Sequence, residues 1–202
     1  MKMKLFSSKT SPFARKVRLV IHELELDGLV EEILTDTGGG DPEFLAANPL
    51  AQIPALITEK GEALPGSDLI IEYLQTRGGT LTSLARGSAR WAQLRRRNLA
   101  EGILEAAVSA LLESRRPEGE KSPAWVQRKT EAITRSLDVL ELEADQLLPG
   151  TPSVVEIGVA AALGYLDFRF PALDWRSSRP ALAAWYAVFA ERTSMLKTTP
   201  GL

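Results

Sequence analysis

Three hydroxyl side chains, Ser8, Thr10 and Ser11, stand just ahead of Pro12 and Phe13. After the proline, Phe13, Val17, Val20, Ile21 and Leu24 recur on one face of an amphipathic helix. Proline suits the first helical position, so Ser11 is the expected N-cap. A helix start presents unpaired N–H groups and the positive end of the aligned peptide dipoles, and it favours an anion or a thiolate. The matching chemistry is stabilisation of an anion, such as a thiolate. A free thiol has a pKa of about 8.5, and lowering it by about two units, roughly 2.7 kcal/mol, makes the nucleophilic thiolate the majority species near neutral pH. A donated hydroxyl hydrogen bond together with a helix N-terminus can supply that much. The stretch by itself leaves a second possibility open, that Ser11 caps its helix and does nothing more.

The 202 residues include no cysteine. Disulfides and a cysteine nucleophile are therefore excluded. The single histidine, His22, falls on the polar side of the first helix, where it reads as a surface residue and cannot serve a Ser–His–Asp arrangement with Ser11. No metal-ligand pattern is present. The formal net charge of −2 argues against a general nucleic-acid binder, and Arg95, Arg96 and Arg97 are expected to form a solvated helix face. No run approaches the roughly 20 apolar residues of a membrane span, and the N-terminus lacks the apolar run of a signal peptide. A cytoplasmic location with no nucleic acid and no membrane partner is the expectation.

The elements that must position these residues come in a definite order. Residues 2–6 form a strand, 12–26 a helix and 30–34 a second strand. The glycines of residues 37–42 make a loop, not a phosphate loop, since no Gly-Lys-Ser/Thr follows. A short helix (42–47) and the Asn48-Pro49 turn precede a strand over 51–57 with Pro54 near its start. A turn at 59–62 and a short return strand (63–64) lead to a helix expected to be capped by Ser67, with Asp68 in its first turn and Leu69, Ile70, Ile71 and Leu74 apolar. A β-α-β unit followed by a hairpin and a closing helix gives a small mixed sheet. From Ala85 the pattern is helical only. One helix runs to about Leu112, with Trp91, Leu94, Leu99 and Ile103 facing inward. Another runs from Ser122-Pro123 to about Leu147, before Pro149-Gly150. Ser153 and Glu156 make a capping box that opens an apolar, buried helix, and residues 180–191 close the chain.

Ser11-Pro12-Phe13, Asn48-Pro49 with Gln52-Ile53-Pro54, and the stretch from Ser67 to Leu74 together resemble the N-terminal domain of cytosolic glutathione S-transferases, in the manner of a bacterial, serine-type member with a tau-, zeta- or omega-like motif. The resemblance extends over nearly the whole chain. It implies an α+β protein with a thioredoxin-like domain (1–78), a linker (79–84) and an all-α helical-bundle domain (85–202). It also implies a cis peptide bond before Pro54. Ser11 then stands where such enzymes have the catalytic serine, with Thr10 and Ser8 in reserve. Phe13, Gln52, Ile53, Pro54 and Ser67 are placed against glutathione: Ile53 pairs its backbone with the cysteinyl part, Ser67 holds the γ-glutamyl carboxylate, and Gln52 lies near the glycine carboxylate. Gly66 departs from the pattern, since most members carry an acid there.

The implied function is a detoxifying glutathione transferase, using glutathione as co-substrate against a small electrophile, with peroxidase or isomerase chemistry as a possible accessory. Its electrophile pocket would lie between the domains, and a homodimer is implied. The alternative is a non-catalytic protein of the same fold, resembling the stringent starvation protein group. Gly66 favours that alternative, whereas Ser11, Ile53-Pro54 and Ser67 favour the enzyme.

Overall fold

The computed structural model describes residues 2–148 and 150–201, which fall into two compact units: 2–81 together with 191–201, and 82–190. Pro149, expected just past the end of a helix, lies outside the described residues.

The first unit is a four-stranded sheet with helices on both faces. In chain order it contains β1 (Met3–Ser7), α1 (Pro12–Glu23), β2 (Val30–Leu34), α2 (Pro42–Ala47), β3 (Ala55–Ile57), β4 (Ala63–Pro65) and α3 (Ser67–Leu74). The sheet order is β2-β1-β3-β4, with β1 and β2 parallel and the other pairs antiparallel. Alternation along β1 serves both faces. Phe6 packs with Phe44 of α2, ring centroids 5.6 Å apart, and with Ala47 and Ala55. Met3 and Leu5 point the other way and are buried, as are Val17 and Val20 of α1 and Ile70 and Leu74 of α3. This is the thioredoxin-like arrangement.

Three local readings change. β3 begins at Ala55 rather than near 51, because the preceding residues are held in a turn. Asn48 Nδ2 donates to the carbonyl of Gln52 at 2.6 Å, and Ala51 has a φ of 52°. His22 is half-buried, with its ring against the Asp27 carboxylate, instead of solvated. The last residues, read with the helical domain, return to the first unit as α8 (Thr193–Lys197). Arg192 meets Glu23 at 2.7 Å, and buried Arg15 donates to the carbonyl of Met195 at 3.3 Å, so charge on α1 draws the C-terminal segment onto it.

The second unit is all helical: α4 (Ser88–Ser114), α5 (Pro123–Leu142), α6 (Val154–Arg169) and α7 (Pro180–Ala190). α6 is buried on every side from Val155 to Leu166, as its uniformly apolar sequence requires. Its start is the expected capping box. Ser153 Oγ accepts from the N–H of Val155 at 3.1 Å, and Glu156 accepts from the N–H of Ser153 at 2.8 Å. Two expectations about α4 fail. Trp91 is 71 % exposed, because it sits in the first turn, ahead of the buried positions that begin at Arg96. The arginine run is not a solvated face either. Arg96 is buried and donates to Glu143 at 3.0 Å, and Arg95 pairs with the same carboxylate. No helix among the described residues is long and apolar enough to cross a membrane.

Candidate active site

Strand register brings the singled-out loops to one end of the sheet. β1 leads out at Ser7 into the hydroxyl loop. β3 runs antiparallel to β1, with Ala55 opposite Phe6, so Ile53 and Pro54 enter at that same end. β4 is antiparallel to β3, with Pro65 opposite Ala55, so Gly66 and Ser67 leave there as well. The Gly66 N–H donates to the Pro54 carbonyl at 3.1 Å and ties the second and third loops together. The starts of α1 and α3 thus share the edge at which the Ile53–Pro54 peptide, which is cis, meets the sheet.

Ser11 caps α1 with its oxygen: Oγ accepts from the Ala14 N–H at 3.2 Å. Capping uses an oxygen lone pair and leaves the hydroxyl proton to be donated elsewhere. Capping and donating are therefore compatible roles for one half-buried residue. Ser8 is arranged in the same way one turn back, its Oγ accepting from the Ser11 N–H at 3.2 Å. Thr10 is exposed, and Phe13 is half-buried behind the cap.

Ile53 is half-buried. Among the described residues its N–H and C=O have no hydrogen-bond partner, which leaves one peptide edge able to pair with an extended ligand backbone. Gln52 is exposed, and its carbonyl is occupied by Asn48.

Ser67 differs from its expected part. The N-cap of α3 is Gly66, and Ser67 is the first helical residue. Gly66 adopts φ 85° and ψ 145°, a region that side chains enter only with strain. Its carbonyl accepts from the Ile70 N–H at 3.2 Å. Ser67 is buried, and neither its hydroxyl nor its N–H is used inside the chain among the described residues. A carboxylate at this helix start would meet a hydroxyl, free N–H groups and the dipole together. Asp68 turns away, as expected, and its partner was not legible in the sequence. Buried Lys16 of α1 reaches it at 2.7 Å and braces the two site helices against each other.

Comparison with known proteins shows the family. Residues 5–80 match the family model for the glutathione S-transferase N-terminal domain, and 123–187 match that for the C-terminal domain. A GST-like protein of Escherichia coli K12, YibF, itself uncharacterized, is 34 % identical over 98 % of both chains. The chain belongs to the glutathione S-transferase family. A glutathione transferase family member from Pseudomonas fluorescens Pf-5, with bound glutathione, superposes at a TM-score of 0.89 with 37 % identity over 100 % of both chains. A structure of a family member from the same bacterium, with bound S-(propanoic acid)-glutathione, gives 0.87 and 36 %, covering 100 % of this chain and 98 % of that one.

Proposed function

We propose that the protein is a glutathione transferase and that Ser11 activates the thiol. The carrying observation is the division of labour at Ser11, whose oxygen caps α1 while its proton stays available at the positive end of that helix. Glutathione lies along the shared edge: its cysteinyl backbone pairs with Ile53 beside Pro54, and its γ-glutamyl carboxylate sits at Ser67 and the start of α3. Phe13 packs beneath, and Gln52 lies near the glycine carboxylate. Ser11 donates to the sulfur and stabilises the thiolate. The thiolate attacks an electrophilic carbon. A C–S bond forms, and either a leaving group departs with its electron pair or, on an activated alkene, the adjacent carbon takes up a proton. The relatives that hold glutathione and a propanoic acid conjugate support both the ligand and an acid-bearing electrophile.

Calorimetric titration with glutathione is the direct test. Saturable binding at or below millimolar concentration is expected. Its absence would reject the transferase in favour of a non-catalytic protein of this fold.

We also propose a two-fold homodimer. Trp91 on α4 and Leu69 on α3, 71 % and 46 % exposed, are apolar side chains that a second copy would cover. Light scattering should give twice the 22.0 kDa chain mass, and a monomer mass would overturn the dimer.

A further inference from the structure

Four arginines withdrawn from solvent, Arg18, Arg96 and Arg179 buried and Arg192 half-buried, are each matched by a carboxylate. Arg96 has Glu143 at 3.0 Å, Arg179 has Asp138 at 2.6 Å, Arg192 has Glu23 at 2.7 Å, and Arg18 has Glu32 at 3.6 Å. Arg169, the last residue of α6, breaks the pattern. It is half-buried, its Nε is buried with no partner, and among the described residues no carboxylate pairs with it. Its guanidinium lies 4.0 Å from the centre of the Phe168 ring, which supports one face.

One turn back on the same helix, Tyr165 is only 3 % exposed. Residues four apart share a helix face, so the phenol and the guanidinium are neighbours. Burial holds the Tyr165 hydroxyl above the ordinary tyrosine range, against the opposing charges of Arg169 and Arg115, so it stays a neutral donor. Arg115 follows the end of α4, which packs along α6, where Gly158 lies against Ala100. Arg115 is exposed there. A half-buried cation without a carboxylate and a buried hydroxyl donor thus meet at one end of the helical unit, with exposed Arg115 in electrostatic reach of the phenol. An arginine at a helix C-terminus is favoured by the dipole alone. Arg18, Arg96 and Arg179 also have a buried Nε without a partner, so what sets Arg169 apart, and what the dipole does not account for, is the missing carboxylate and the phenol beside it.

We infer that Arg169 and Tyr165 form a binding site for the carboxylate of a small organic acid. The planar guanidinium fork matches a carboxylate with two parallel hydrogen bonds, and the phenol adds a third donor. One carboxylate neutralises the half-buried charge that no residue of the chain neutralises.

The test uses the full chain and two probes, sodium succinate and sodium phosphate, each titrated at fixed ionic strength. The readout is the Nε–Hε resonance of Arg169, assigned by its loss in Arg169→Met, a variant that keeps the apolar stem over Phe168. Succinate should shift the resonance saturably. Tyr165→Phe should weaken that binding about tenfold, the size expected for one hydrogen bond to a charged group. Arg169→Lys should retain part of the binding. A resonance that does not saturate with succinate, or that answers only to phosphate, overturns the site.

A kinetic arm, which rests on the transferase proposal, identifies the source of the acid. It compares 3-bromopropanoate with 3-bromopropanamide as electrophiles. The thiolate displaces bromide from each, and only the first carries a carboxylate. If Arg169→Met raises KM about tenfold for the acid alone, the carboxylate belongs to the electrophile. If succinate binding is lost while both KM values stay unchanged, the site serves a separate organic acid. Failure of glutathione to bind would remove the kinetic arm but would leave the titration to decide the site.

Discussion

Replacing Ser11 by alanine is expected to lower conjugation at neutral pH and to move the pH–rate profile up by as much as about two units, less the share that the retained helix start supplies. With a bound thiol titrating near 6.5, about three quarters is thiolate at pH 7; at 8.5, the upper limit, only about 3 % is, a loss of up to roughly 25-fold from ionisation alone. The sign is fixed by the thiol: removing a donor to the thiolate raises its pKa, so activity returns as pH rises. Ser11→Ala also deletes the cap seen at Ala14, which costs about 1 kcal/mol of stability. Ser11→Asp separates the two effects. It keeps an acceptor for the cap, has no proton to donate, and sets a negative charge against the sulfur. It should fold like the parent and be at least as inactive as the alanine variant. The measurement is kcat/KM against pH, with the pKa of bound glutathione read by ultraviolet difference absorbance. Unchanged activity in Ser11→Ala would move the role to Ser8, whose oxygen is arranged in the same way, or to Thr10.

The second prediction concerns Gly66. Its left-handed φ of 85° lets it cap α3 without strain, and a Cβ built there meets nothing within 4 Å. Gly66→Glu should therefore be accommodated at a backbone cost of about 1–3 kcal/mol. In return the carboxylate reaches the side of the site where the γ-glutamyl amine would lie. Glutathione binding should tighten by about tenfold or more, the worth of a hydrogen bond to a charged group. Gly66→Ala carries the same strain without the carboxylate. It should lose stability in denaturant titration and gain no affinity. If both variants bind glutathione equally well, the missing acid is not what limits affinity at this position.

Capping chemistry was legible in the sequence because its partners lie within four residues of one another. Ser11 and Pro12 fixed the start of α1, Ser153 and Glu156 fixed that of α6, and the absence of cysteine excluded a protein thiol. The three motif loops were legible as segments, but their convergence was not derivable from the residues alone. It depends on β1, β3 and β4 being antiparallel neighbours in one register. Gly66 reads in sequence only as a lost acid, and tertiary structure shows it to be the cap that leaves the Ser67 hydroxyl unspent.

The charged side chains were the least legible. Lys16 and Asp68 are 52 positions apart, and Arg96 and Glu143 are 47 apart, so no local rule pairs them. A buried charge requires a partner, but packing alone decides which residue supplies it. The same physics makes Arg169 informative, since packing half-buried its guanidinium and brought it no carboxylate among the described residues. Local hydrogen bonding and hydrophobic period thus determined where helices begin and which faces are apolar. Sheet register and helix packing decided which hydroxyls stay free and which charges stay unmatched, because both depend on contacts between residues far apart in the chain.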